Sequence, residues 1–146
     1  MGSLYYNGIG VKQDFSRAIY YYKLSGKLNN SLALYSLGNI YFNGEGVKQD
    51  YSKALNYYEL SAKLNNSDSN FVLGELYSNG LYFDENITKA VSHYLKCIEF
   101  HQGYNSMPNT QGDELYIYLN NQFYYIAYNN LGLIYQINLK DEEKAY

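Results

Sequence analysis

Three residues in this chain carry donor atoms at helical spacing: His93, Cys97 and His101, at i, i+4 and i+8. Imidazole and thiolate are zinc ligands, and an i, i+4 pair can present two donors to one ion. Cys97 beside His93 could also be read as a nucleophile with its base. Both readings weaken on inspection. At 1.5 Å per residue His93 and His101 stand about 12 Å apart along a helix, too far to share an ion with Cys97 between them. No third residue is placed to orient the imidazole. That leaves His93 and Cys97 as the weak metal candidates and no catalytic residue. A second stretch with chemical potential is Asn43-Gly44-Glu45-Gly46-Val47, followed by Asp50. Glycines beside acidic residues can cradle phosphate, bind calcium or turn a chain. A phosphate loop needs a preceding strand, and an EF-hand needs acidic ligands at alternating positions. Neither is present, so the glycines are read as a turn.

The bulk properties narrow the field further. With 146 residues and 47% hydrophobic content, the chain is long enough for a core without staples. A formal net charge of −3 leaves no basic footprint, so nucleic acid is not an expected partner. No apolar run reaches the roughly 20 residues that span a bilayer, so no membrane insertion is expected. Met1-Gly2-Ser3 has no signal-peptide character and reads as an expression scar. The compartment is not fixed by these features, though they tip the expectation toward the cytoplasm. One cysteine rules out an intramolecular disulfide.

What organises the chain is repetition. Tyr6-Asn-Gly8-Ile-Gly10-Val-Lys-Gln-Asp14 recurs as Phe42-Asn-Gly44-Glu-Gly46-Val-Lys-Gln-Asp50, and Gly80 falls at the next multiple of 36. Phe15-Ser-Arg-Ala18, Tyr51-Ser-Lys-Ala54 and Ile87-Thr-Lys-Ala90 keep the same period, as do Leu37-Gly38 and Leu73-Gly74. A period between 20 and 50 residues is the signature of a solenoid. Each unit reads as two helices. Ala33, Leu37, Ile40 and Tyr41 share one helical face, and Ala54, Tyr57, Tyr58, Ser61 and Ala62 share another. Gly44 is placed to end the first helix in a left-handed residue. Val47 drops into the core, and Asp50, or Asn86 in the third copy, caps the second helix. Asn29 and Asn65 stand at the next helix end, where asparagine tolerates left-handed geometry. Glycines at 38, 74 and 132 inside first helices point to close helix approach against tyrosines. Carboxylates such as Glu45, Glu75 and Glu114 read as solvated.

The pattern Ala33-x-Tyr35-x-Leu37-Gly38-x-x-Tyr41-x-x-Gly44-x-Gly46-Val47-x-x-Asp50-Tyr51-x-Lys53-Ala54-x-x-Tyr57-Tyr58-x-x-Ser61-Ala62 resembles the Sel-1-like repeat, a relative of the tetratricopeptide repeat. The resemblance implies an all-α, right-handed α-α superhelix (solenoid) of stacked helical hairpins. It also implies adaptor or scaffold work on a protein or peptide partner, with no cofactor and no enzyme activity. Set against it are a small hydrolase of the β-lactam-binding type and a metal-binding repeat protein. Cysteine-rich relatives of the β-lactam type carry paired cysteines in each repeat, whereas Cys97 stands alone. By analogy with tetratricopeptide arrays, the concave groove takes Ser36, Asn39, Phe42 and Asn43, then Val72, Glu75, Ser78 and Asn79, then Asn130. Asparagine amides offer donor and acceptor together, which suits the backbone of an extended peptide.

Residues 4–146 are then expected to form the repeat domain: a partial repeat over 4–30, repeats over 31–66 and 67–102, an insertion over 103–125 and a partial repeat over 126–146. Two departures accompany this scheme. Tyr82 takes the place of the second loop glycine, so that loop is expected to turn differently. The insertion is expected to begin as a loop over 104–112, followed by a helix capped by Asp113, with a β-hairpin around Asn120-Asn121 as the alternative. Because the chain begins and ends inside a repeat, it is expected to be a piece of a longer array, or to associate with itself through the open ends.

Overall fold

The computed structural model describes residues 1–80, 82, 84–105, 123 and 125–137, with backbone alone at 101–105. Six helices are α1 (Gly2–Asn7), α2 (Phe15–Lys27), α3 (Ser31–Asn43), α4 (Tyr51–Lys63), α5 (Ser67–Asn79) and α6 (Ile87–Asn105). A seventh, α7, covers 125–137. No strand occurs among the described residues. The chain divides into two compact units, Met1–Ser69 and Asn70–Tyr146.

The helix boundaries follow from capping chemistry, and they repeat. Asp14, Asp50 and Asn86 each accept a bond from the backbone N–H three residues on, at 2.9 Å. This satisfies one of the orphan donors of the second helices. Asn30 and Asn66 cap α3 and α5 in the same way, accepting from Ala33 N at 3.0 Å and Ser69 N at 2.8 Å. Between the helices of a pair the loop is closed by the cap residue itself. The N–H of Asp14, Asp50 and Asn86 donates to the carbonyl of Tyr5, Tyr41 and Tyr77, at 2.9, 2.9 and 2.8 Å. Gly44 terminates α3 at φ 74, with its N–H on the Ile40 carbonyl. Asn29 and Asn65 are the non-glycine residues with positive φ, at 60 and 62, among those described. Tyr82 therefore does not reproduce the left-handed turn of Gly46, as its type requires.

In the first unit, α1 packs on α2, α2 on α3 and α3 on α4. Ile19, Leu37 and Ile40 form its centre, with Tyr6, Tyr22, Val47 and Tyr57 packed around them. Tyr58 lies directly across Gly38, where a Cβ would stand 2.5 Å from its Cδ1. Tyr22 faces Gly2 in the same manner, and in the second unit Tyr94 faces Gly74. The glycine–tyrosine contact thus recurs at a separation of 20 residues in each hairpin.

A second recurring device lies at the other end of each first helix. Tyr5 stacks on Tyr21 at 5.5 Å, Tyr41 on Tyr57 at 5.6 Å, and Tyr77 on His93 at 5.8 Å. Arg17, Lys53 and Lys89 lie over the rings of Tyr5, Tyr41 and Tyr77 respectively. Each second helix therefore presents both a cation and a second ring to a first-helix ring.

Several sequence expectations are corrected by the structure. Met1-Gly2-Ser3 is not outside the repeat: Gly2 is buried in α1 against Tyr22, in register with Gly38. Residues 104 and 105, expected in a loop, belong to α6, which continues to Asn105, and the rest of that stretch lies outside the described residues. The reason is visible in the register: His101 stands where Asn29 and Asn65 turn left-handed, so the terminator is missing. Gly132 is exposed, with no atom within 4 Å of a Cβ placed on it, so no close approach explains it. Residues 123, 125 and 126, the second strand of the hairpin alternative, are helical. Asp113 and Asn120-Asn121 lie outside the described residues, as does Glu114.

Candidate functional site

The nine groove candidates fall into two sets, one in each unit. In the first unit, Ser36, Asn39 and Phe42 are half-buried on α3 and Asn43 is exposed. Ser36 Oγ donates to the Leu32 carbonyl at 2.9 Å. Asn39 Oδ1 accepts the Tyr58 hydroxyl at 2.8 Å. Phe42 meets Tyr51 edge-on at 5.2 Å, and Asn43 Nδ2 donates to Glu45 Oε1 at 2.9 Å. In the second unit, Val72, Glu75 and Ser78 are half-buried on α5, Asn79 is exposed, and Asn130 is half-buried on α7.

The structure brings three of the second set together around one hydroxyl. Tyr94, wholly buried on α6, donates to Glu75 Oε1, and Ser78 Oγ lies 3.2 Å from the same phenol oxygen. Asn130 Nδ2 reaches Glu75 Oε1 at 2.6 Å and the Tyr94 oxygen at 3.3 Å. Among the described residues, no such cluster joins Val72 or Asn79.

Two carboxylates read from sequence as solvated turn out to be partnered. Glu75 is one. The other is Glu45, between the loop glycines, which accepts the Tyr6 hydroxyl from α1 as well as the Asn43 amide. The period alone could not reveal Glu45, because its counterpart in the first copy is Ile9. The tyrosines at 22, 58 and 94 were legible through their fixed distance from the glycines.

These hydroxyls are held protonated. The Tyr6 phenol is pushed up to about 12, first by its bond to Glu45 and then by burial. Burial, followed by the bond to Glu75, pushes Tyr94 up to about 12 as well. Burial raises Tyr58 in the same direction. An unfolded tyrosine ionises near 10, so above that pH the unfolded chain has released protons that the folded chain keeps. The contribution of these tyrosines to stability is therefore fully present below pH 10 and is lost as pH rises toward 12. Melting temperatures measured across that window should fall, and replacing Tyr6 and Tyr94 by phenylalanine should flatten the decline. A melting temperature that stays level to pH 12 would contradict the assignment.

The metal candidates are used otherwise. His93 Nδ1 lies 3.0 Å from Asn70 Oδ1, and its ring stacks on Tyr77. Asn70 and His93 replace Leu34 and Tyr57 of the preceding repeat, so a polar pair has been exchanged into packing positions together. Cys97 is buried, at the position of Ser61. Among the described residues, no group of three His, Cys, Asp or Glu side chains could hold a metal ion. The His101 side chain lies outside them.

The architecture is that of a helical-hairpin repeat protein, and its comparison with known proteins gives the family. The Sel1 repeat family model matches residues 1–30, 31–66 and 67–98, so the chain belongs to the Sel1 repeat family. Among solved structures, it is similar to a Sel1 repeat protein from Oxalobacter formigenes, with 24% identity and a TM-score of 0.72. That match covers 92% of this chain and 46% of the other. It is also similar to c5321, a protective antigen of uropathogenic Escherichia coli strains that displays an SLR fold, with 25% identity and a TM-score of 0.62. There 90% of this chain and 29% of the other are covered. The chain thus spans less than half the length of either. No curated protein matches it significantly. The fold class is the all-α solenoid of stacked helical hairpins, and Sel1 repeats are in general protein-interaction modules, typically without enzymatic activity. No helix among the described residues is long and apolar enough to cross a membrane.

Proposed function

We propose that this chain is an adaptor or scaffold module that binds a partner protein or peptide through the outward positions of its first helices, in the concave groove of the solenoid. The observation that carries this reading is a contrast between two registers. The packing register repeats its chemistry: glycine at 2, 38 and 74, tyrosine at 22, 58 and 94. The groove register does not. Ser36 becomes Val72, Asn39 becomes Glu75, and Phe42 becomes Ser78, while Asn43 and Asn79 agree. Positions whose residue type packing does not fix are those able to match a partner. Asn43 and Asn79 are exposed and carry amides suited to an extended peptide backbone. Phe42 adds an apolar anchor. No catalytic step enters this reading.

The partner is to be captured from the native source and identified by mass spectrometry. Its affinity is then measured for the chain and for the double variant Asn43→Ala with Asn79→Ala. Asn39 is best left intact, because its amide satisfies the buried Tyr58 hydroxyl. Loss of about tenfold or more in affinity, at an unchanged melting temperature, is expected if both amides bond the partner. Unchanged affinity would remove these positions from the binding surface.

A further inference from the structure

We propose that Glu75, set by Tyr94 and Asn130, is a receptor for one cationic side chain, a lysine or arginine of the bound partner. This deepens the reading above and rests on it. The argument begins with what the fold requires at this position. In the preceding repeat the same place is held by Asn39, whose neutral amide oxygen accepts the Tyr58 hydroxyl at 2.8 Å. A neutral acceptor is therefore sufficient to satisfy the tyrosine. Ser3 and Leu133 occupy the position in α1 and α7, so packing does not demand a carboxylate there either.

The carboxylate of Glu75 is thus a charge that the repeat does not need. It is half-buried, and its contacts are the neutral Tyr94 hydroxyl and Asn130 amide. The ion pairs of Asp14 with Arg17 and of Asp50 with Lys53 do not involve Glu75, and no cation pairs with it among the described residues. Partly desolvated charges are ordinarily paired, since an unpaired one gives up hydration without return. Both donors are directed to Oε1, which fixes the carboxylate while leaving the lone pairs of Oε2 for a further donor. Guanidinium and ammonium groups make the stronger, charge-assisted form of that bond.

The surrounding field has the matching sign. Among the described residues of the second unit, Glu75, Asp84, Glu85 and Glu99 stand against Lys89 and Lys96, a net of 2 − 4 = −2, whereas residues 1–69 carry five Asp and Glu against seven Lys and Arg, a net of 7 − 5 = +2. A negative unit raises the local concentration of cations and steers a basic partner toward it.

The test uses the whole chain and ethylguanidinium as probe, followed in nuclear magnetic resonance through the Asn130 side-chain amide and the Glu75 carboxyl carbon. Glu75→Gln is the matched variant, since Asn39 shows that an amide keeps the tyrosine satisfied. Saturable shifts in the natural chain, weakened about tenfold or more in Glu75→Gln, are expected. A short alanine peptide with one central arginine should likewise bind more tightly than its neutral citrulline counterpart. Absence of a saturable shift, or equal binding by Glu75→Gln, overturns the proposal. The two readings fail separately. If Asn43→Ala with Asn79→Ala abolishes partner binding while Glu75→Gln leaves the probe unaffected, the surface stands and the cation receptor falls. If Glu75→Gln alone weakens both probe and partner and the asparagines are indifferent, the receptor stands and the wider surface falls.

Discussion

Replacing Gly38 by alanine should lower the melting temperature, and replacing Gly132 by alanine should not. The two glycines hold the same place in their first helices, each following a leucine. A Cβ at position 38 would sit 2.5 Å from Tyr58 Cδ1 and 3.0 Å from its Cζ. Tyr58 is 2% exposed and its hydroxyl is held by Asn39, so the ring has nowhere to retreat. Overpacking of this kind costs about 1–3 kcal/mol, from which the better helix propensity of alanine returns about 1 kcal/mol. A net loss of up to about 2 kcal/mol corresponds to a fall of up to roughly 8 °C for a chain of this size. At Gly132 nothing lies within 4 Å, so only the propensity gain acts and the melting temperature should hold or rise. Equal shifts for the two variants would show that the tyrosine contact does not set the helix spacing.

The loop glycines allow a second paired comparison with a large expected effect. Gly10 and Gly46 have the same left-handed backbone, φ 70 and φ 68. A Cβ at Gly10 meets nothing within 4 Å, whereas one at Gly46 would run into Phe15 Cβ and stand 2.8 Å from its Cγ. Gly10→Ala should therefore cost only the left-handed strain, about 1–2 kcal/mol. Gly46→Ala should add an overpacking cost of about 1–3 kcal/mol, because Phe15 is the first residue of α2 and its ring packs edge-on against Tyr6. Chemical denaturation of both variants measures the difference. Identical midpoints would mean that the second loop glycine serves only its own turn and not the hold of one repeat on the next.

Much of this fold was legible because the period links each residue to a known counterpart. The caps Asp14, Asp50 and Asn86, the left-handed Gly44, Asn29 and Asn65, and the glycines opposed to tyrosine all carry their geometry in their residue type. What escaped was chemistry that breaks the period. Glu45 lacks a counterpart of its kind, and its bond to Tyr6 joins residues 39 positions apart. Glu75 was placed in the groove, but the approach of Asn130 to it and to Tyr94 depends on where α7 lies against α5, which no local pattern encodes. The extension of α6 required noticing that His101 is not an asparagine. Gly2 was passed over because three residues are too few to display a register, though its distance to Tyr22 equals that from Gly38 to Tyr58.

The central claim is that partners are held on the first helices, through positions whose residue type packing does not fix. Amide hydrogen exchange, followed by mass spectrometry on the chain alone and with its captured partner, tests this most directly. The account predicts added protection in peptides from α3 and α5, Ser31–Asn43 and Ser67–Asn79, with little change in α4, Tyr51–Lys63. Protection confined to α4 and to the loops before α2 and α4, with α3 and α5 exchanging as in the unbound chain, would contradict it.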